Sequence, residues 1–442
     1  MEQSMSDLNH PPIQVGDAMY QLAAELFPIC RSITGDGVRA TLAHIQRQIP
    51  LTTHEVASGT PVFDWTVPKE WNIRDAYIRN EAGARVVDFR QSNLHVVNYS
   101  VPVNQTMSLA ELKKHLFSLP DKPDWIPYRT SYYKENWGFC LRHRDLLNLT
   151  DGNYEVVIDS SLEPGHLTYG EYLIPGQSAD EVLISCHTCH PSLANDNLSG
   201  VSLAVALAQR MRALSARYSY RFLFIPGTIG AITWLALNKD KAARIKHGLV
   251  LTCVGDPGQT TYKKSRRGDA DIDRATLHVL KQSGSPFAAI DFYPYGYDER
   301  QYCSPGFNLA VGCLMRSQHG EFAEYHTSAD NLDLIQPAFL QDSYNKVAAL
   351  IDVLEGNRYY MNQNPYCEPQ LGKRGLYDVV DGEVMAMLWT LNFSDGKHSL
   401  LDIAERAGMS FERIHKSAQI LAAHGLLKES GAGDSIASRP AA

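Results

Sequence analysis

Between residues 181 and 315 the apolar positions fall into short continuous runs, separated by longer stretches with helical spacing. The runs at 181–185, 221–225, 248–253 and 308–315 are rich in Val, Ile, Leu and Phe and too short for helices, so each predicts a buried strand. Residues 201–208, Val-Ser-Leu-Ala-Val-Ala-Leu-Ala, have the length and Ala/Leu content of a largely buried helix. Strands alternating with helices argue for an α/β domain built on a mostly parallel sheet with helices on both faces.

The flanking segments follow other rhythms. Residues 18–26 and 38–49 are helix-like, and two glycines around Asp36 mark a tight turn between them. Arg31 and Arg39 beside this turn suit either a bound carboxylate or phosphate or a plain helical hairpin with solvated arginines. From about residue 55 to 149 Trp, Tyr, Val and Pro increase, and strand-like runs such as 84–89 and 95–99 recur at short intervals, which predicts an inserted β-rich domain. Its aromatics Trp125, Tyr128, Tyr132, Tyr133 and Trp137 either border a cleft or pack internally. The α/β pattern resumes near 154–158, giving a main domain of residues 13–54 and 150–360 around an insertion of 55–149.

Residues 336–354 form an amphipathic pattern, 365–375 read as a linker, and helical patterns follow at 383–391, 400–407 and 410–423. Gly408 separates the last two in the manner of a helix-turn-helix, and 425–427 resemble the first strand of a wing, so 372–430 predict a winged-helix domain. Its second helix offers only Arg413 and Lys416 against Glu412, which favours packing or dimerisation over reading DNA. The small, polar residues 431–442 predict a disordered tail.

A formal charge of −8 spread over 442 residues leaves no basic footprint for nucleic acid and no polybasic membrane patch. Residues 1–12 lack an apolar core of the secretory kind, and the most apolar stretch, 222–237, is too short to span a bilayer and is broken by Pro226-Gly227. Eight widely scattered cysteines fit reduced thiols. The expectation is a cytoplasmic protein without membrane or nucleic-acid partners, with a homo-oligomer open.

The chemistry concentrates at 182–209. An apolar strand delivers His187 and His190 into a loop that carries Asp196 and leads into the buried helix. In α/β sheets ligand groups gather beyond the carboxyl ends of strands, and imidazole with carboxylate suits zinc or a similar divalent ion. The alternative is that Asp196 and Asn197 merely cap the helix. Cys186 and Cys189 form a C-x-x-C, but a second cysteine pair at zinc-knuckle spacing is missing.

The run from His187 to Ala194-Asn195-Asp196-Asn197-Leu198-Ser199-Gly200 resembles the H-x-D...G-A-x-D-N-x-S-G signature of the zinc aminopeptidase clan, which includes bacterial leucyl aminopeptidase, glutamate carboxypeptidase and glutaminyl cyclase. Within the clan the chain is most similar to an uncharacterised bacterial aminopeptidase-like family with an inserted β-domain and a C-terminal winged helix. The strings 26–32 (LFPICRS), 67–73 (VPKEWNI), 298–306 (DERQYCSPG) and 325–331 (YHTSADN) carry that similarity over nearly the whole chain. The resemblance implies one or two Zn2+ ions, with His187 and His326 as imidazole ligands, Asp196 as a bridging carboxylate and Asp256 as the nearest candidate for a second Asp. It implies a small peptide or amino-acid amide as substrate.

One departure follows from the resemblance. The clan places adjacent glutamates after the strand 221–225, and members of the closer family carry P-E-T-I-G-S there. This chain reads Pro226-Gly227-Thr228-Ile229-Gly230-Ala231, without a carboxylate. General-base help is worth roughly two to four powers of ten in rate, so its source matters. Glu321, Glu324 and Glu299 are the candidate substitutes, with Thr228 in the position next to the lost acid. Asp298 and Glu299 are candidates for binding a substrate amine, and Arg266 and Arg267 for an anionic group on the rim. The expectations are a metal-dependent aminopeptidase-like hydrolase or, alternatively, a catalytically silent binding scaffold.

Overall fold

A computed structural model describes residues 14–379 and 383–431, so the tail expected from residue 431 lies almost wholly outside the described residues. The described chain divides into two compact units, residues 14–270 with 286–344, and residues 271–285 with 345–379 and 383–431.

The first unit is mixed α/β around an eight-stranded sheet. In spatial order its strands are Thr52–Ala57, His166–Ile174, Ser219–Ile225, Glu181–His187, Ile245–Leu251, Val311–Met315, Thr260–Lys263 and Phe287–Ile290. The four strands from Ser219–Ile225 to Val311–Met315 run parallel; His166–Ile174 and Thr52–Ala57 add antiparallel on one side, and Thr260–Lys263 joins antiparallel on the other and pairs parallel with Phe287–Ile290. Every residue of Glu181–His187 and of Ser219–Ile225 is buried, as continuous apolar runs require when a parallel strand is covered on both faces. The chain leaves Glu181–His187 for its neighbour on one side and then crosses to its neighbour on the other, which makes this strand a topological switch point. His187 is its last residue and lies opposite Ile225, so 187–197, 226–228 and 252–254 converge beyond one sheet edge.

The helix Gly200–Arg212 packs closely behind that edge. A Cβ on Gly200 would fall 2.5 Å from the Leu251 carbonyl oxygen, so only glycine admits this approach. At the far end of the sheet Arg221 lies between Glu181 and Glu171, all three buried, with Nε donating to Glu181 Oε2 at 2.6 Å and Nη2 to Oε1 at 2.8 Å.

The insertion forms an antiparallel four-stranded sheet in the order Arg85–Asp88, Glu70–Arg79, Asn153–Glu163, Val103–Ser108. Its own core includes Ala76, Ile78, Leu112, Phe139, Val156 and Ile158. The run 153–163, read above as the return to the main domain, therefore belongs to the inserted sheet. Residues 95–99 do not form the expected strand. Val96 and Asn98 make isolated bridges to Phe139 and Thr130, and their apolar character reflects burial beneath loops.

The second unit contains the helices Val384–Phe393, Leu400–Ala407 and Phe411–Ala423 and a three-stranded sheet with Tyr359–Asn362 at its centre. Ser399 and Asp402 form a reciprocal capping box on Leu400–Ala407, and Gly408 ends it at φ 64°. The winged helix thus begins before residue 372, since its central strand lies at 359–362. Arg413 of Phe411–Ala423 is spent on Glu383, at 3.0 Å from both carboxylate oxygens.

Candidate metal centre

Asp196 is fully buried at the centre of the convergence, and three imidazoles surround it. His187 Nε2 lies 3.0 Å from Oδ1, His326 Nε2 3.0 Å from Oδ2, and His190 Nδ1 3.7 Å from Oδ1. The Tyr297 hydroxyl donates to Oδ1 at 2.9 Å, and its ring stacks on His187. The helix-capping alternative for Asp196 is not what the side chain does. Ser199 is the N-cap residue of Gly200–Arg212, and the Gly200 N–H donates to Asn197 Oδ1 at 3.2 Å.

A second carboxylate shapes the loop. Asp330 accepts the backbone N–H of Asn195 at 2.6 Å and of Asp196 at 3.0 Å, and its carbonyl accepts that of Ala194 at 3.1 Å. The insertion closes one side. The Tyr128 N–H donates to the His326 carbonyl at 2.8 Å, and the Tyr128 ring meets His190 and His326 edge to face. Tyr132 bonds the Tyr128 hydroxyl at 2.9 Å, whereas Trp137 stacks on His115 within the insertion and Trp125 lies beneath Lys122.

Burial dominates the electrostatics and is opposed at specific points. Desolvation pushes Asp196 upward, but His190 and the hydrogen bonds from His187 and His326 outweigh it and hold the carboxyl well below the usual range. Burial drives His190 well below the ordinary histidine range although Asp196 opposes it. His190 Nδ1 is buried and lacks a hydrogen-bond partner, which suits an acceptor nitrogen facing a cation. His190, Asp196 and His326 present ligand atoms within 4.8 Å of one another, a donor set that fits one zinc-like ion. His187, Cys189 and His190 form a second group of the same span, with Cys189 Sγ 3.8 Å from His187 Nδ1.

Of the residues singled out in the sequence, His187, Asp196 and His326 come together. His190 belongs with them and was not among the ligands the resemblance implied, although its place three residues after His187 was the available signal. Asp256 is not part of either group. Its oxygens accept Asn195 Nδ2 at 2.8 Å, the Gly258 N–H at 2.7 Å, and the Ser317 hydroxyl and N–H at 2.6 and 3.2 Å, so it braces the loop. Glu299 is buried against Lys263 Nζ at 2.9 Å, and Glu321 is exposed and accepts Gln318 Nε2 at 2.8 Å. Glu324, half-buried, stands two residues before His326, and the Thr228 hydroxyl accepts Gln301 Nε2 at 3.3 Å. Arg266 and Arg267 are bound to Asn308, which holds the turn before Val311–Met315. Arg39 pairs with Glu70 and Asp36, while Arg31 is buried and donates to the His190 and Leu26 carbonyls at 3.1 and 2.6 Å.

Asp298 is fully buried and neither of its oxygens has a hydrogen-bond partner. Burial, with Glu299 next to it, pushes its carboxyl well above the usual range. Gly227 lies beside it. A Cβ built on Gly227 would be 3.6 Å from Asp298 Oδ1 and 3.1 Å from His187 Cβ.

The fold and the sequence have known counterparts. The chain is similar to a Clostridium acetobutylicum protein named for polysaccharide biosynthesis and an aminopeptidase-like domain, at 56% identity over 94% of this chain and 97% of that protein. A crystal structure from the same organism, described as a peptidase, superposes with a TM-score of 0.91 over 94% of this chain and 97% of that one, again at 56% identity. The zinc aminopeptidase BSAP of Bacillus subtilis shares the fold at a TM-score of 0.57 and 12% identity, over 77% of this chain and 95% of its own. A winged helix-turn-helix model matches residues 358–429. No helix among the described residues is long and apolar enough to cross a membrane. Residues 20–357 match the domain of unknown function DUF4910, and the chain belongs to that family, with an aminopeptidase-like fold followed by a winged helix.

Proposed function

We propose that the protein is a metal-dependent hydrolase of the aminopeptidase type, with one zinc-like ion held by His190, Asp196 and His326. The observation that carries the reading is the convergence of three imidazoles on one buried carboxylate at the switch point of the sheet. A bound ion would supply Lewis-acid polarisation of a carbonyl and a lowered pKa for water. The protein's own groups do the rest. Tyr297 and His187 fix the orientation of Asp196, Tyr128 shields His190 and His326, and half-buried Glu324 is the nearest acid in sequence to a ligand. The substrate class is a small peptide or amide with a free amine.

A second reading, a catalytically silent scaffold, rests on one observation, the absence of a carboxylate from residues 226–231. Metal analysis of protein purified without chelators, followed by assay on aminoacyl p-nitroanilides, separates the two. About one ion per chain and hydrolysis lost on chelation are expected, and a protein that binds no zinc, manganese or cobalt on titration overturns the first reading. Activity that emerges only in Gly227→Glu marks a decayed site.

A further inference from the structure

We propose that Asp298 is the recognition group for a protonated amine, which enters over Gly227 and sets its charge against the Asp298 carboxyl. The assignment rests on the reading of this cleft as a hydrolase site and names the residue that selects the substrate's amine.

The carboxylates around the site are otherwise committed. Asp196 faces two imidazoles and a phenol, Asp330 takes two backbone N–H groups, Asp256 takes four donors and Glu299 takes Lys263. Asp298 is as buried as any of them, and both its oxygens lack a donor. A buried carboxyl in that condition is costly unless a partner arrives from outside the protein. Glu299 next to it is bound to Lys263, and Arg300, Cys186, Cys189, Tyr302 and Cys313 are further ionisable neighbours. None of these makes an ion pair or hydrogen bond with it among the described residues.

Gly227 gives the direction of approach. Its missing Cβ would stand 3.6 Å from Asp298 Oδ1 and 3.1 Å from His187 Cβ, so a side chain there would crowd the carboxyl and the imidazole at once. Residues 227 and 228 are half-exposed while the strand leading to them is buried, so a guest reaches Asp298 over bare backbone, which only glycine provides at 227. A guest must be small, must donate hydrogen bonds and must offset a carboxylate. An alkylammonium meets all three conditions. A metal ion does not, because Asp298 belongs to no group of converging ligand atoms among the described residues.

The test is calorimetric and uses the full chain as purified, with L-leucinol, which has a free amine and no scissile bond, and N-acetyl-leucinol as control. Titration in two buffers of different ionisation enthalpy reads proton release along with affinity, because an ammonium pairing with a neutral carboxyl displaces up to about one proton. Wild type is expected to bind leucinol with proton release and the acetylated compound at least ten-fold more weakly. Asp298→Asn should lose ten-fold or more in leucinol affinity together with the proton release. Gly227→Ala, which keeps Asp298 and fills the approach, should lose the same affinity, so the result does not hang on one variant's folding. Leucinol binding that is absent in wild type, or unchanged in affinity and proton release in both variants, overturns the proposal. Zinc content measured on the same samples tests the hydrolase reading separately. Protein without metal that still binds leucinol through Asp298 keeps this assignment and loses that reading, and metal-loaded protein indifferent to Asp298 does the reverse.

Discussion

The backbone N–H of Asp196 donates to Asp330 Oδ2 at 3.0 Å, so one buried carboxylate shapes the loop that presents the other. Asp330→Ala leaves the Asn195 and Asp196 N–H groups without their acceptor, at a cost of about 1–3 kcal/mol for each buried donor left unpaired. Because these donors fix the position of Asp196, the variant should lose bound metal along with stability. Thermal melting and zinc stoichiometry read both effects, and a variant that keeps full metal at an unchanged melting temperature would show that the loop holds its shape without Asp330.

His190 is expected to matter as much to metal binding as His326. Its Nδ1 is buried without a hydrogen-bond partner, and the same three-residue group includes Asp196 and His326. His190→Ala should reduce metal content as far as His326→Ala does, while Cys189→Ser retains it. Metal lost in Cys189→Ser and kept in His326→Ala would place the ion in the group of His187, Cys189 and His190 instead, since His190 belongs to both. Metal analysis after dialysis decides between them.

Much of this site was legible in the sequence because its converging side chains sit at fixed points of a regular pattern. His187 ends a continuous apolar run, Asp196 precedes a buried helix, and both positions follow from strand–loop–helix periodicity. What was not legible depends on packing across long separations. Asp256 has the residue type and place of a ligand, yet Ser317 and Asn195 reach it first, which spacing within one loop does not reveal. Tyr297 and Asp330 reach Asp196 from 101 and 134 residues away, and nothing local marks them as its partners. The run 153–163 alternates as a half-buried strand in either sheet, and only its pairing with Glu70–Arg79 assigns it to the insertion.

At the other end of the sheet, Arg221→Met should destabilise the first unit strongly. The substitution leaves Glu181 and Glu171 buried without their shared guanidinium, and breaking such a pair from one side costs about 3–5 kcal/mol. Replacing Arg221, Glu181 and Glu171 together by apolar residues should recover most of that loss. Urea denaturation of the single and triple variants measures both, and a single variant within 1 kcal/mol of wild type, about the scale of an exposed pair, would mean that water reaches the network.

Glu70 makes a pH-dependent contribution. Hydrogen bonds from Arg39 hold its carboxyl down to about 2, against burial and with help from the His166 N–H and Asn72. A carboxyl depressed on folding stabilises above its unfolded pKa near 4.5 and loses that contribution as pH falls toward 2. Wild type should therefore lose stability more steeply than Glu70→Gln between pH 5 and roughly pH 3, with the two curves running parallel above pH 6. Urea midpoints across that range supply the comparison, and parallel curves throughout would remove Glu70 from the acid sensitivity.

Asp196→Asn separates a metal-holding carboxylate from a structural one. Asn keeps the size and one acceptor oxygen but removes the anion and turns an amide NH2 toward either His187 or His326. The helix start should not suffer, because Asn197 Oδ1 and not Asp196 accepts the Gly200 N–H. The metal should, since a neutral amide is a poor ligand for a divalent ion and even outer partners of ligands are worth about 10–100-fold in affinity. The expected result is a folded variant whose melting temperature is close to that of the metal-free wild type, with zinc affinity reduced by more than about 100-fold. Full metal content in this variant would mean that the three histidines, together with Cys189, bind the ion without the carboxylate they surround.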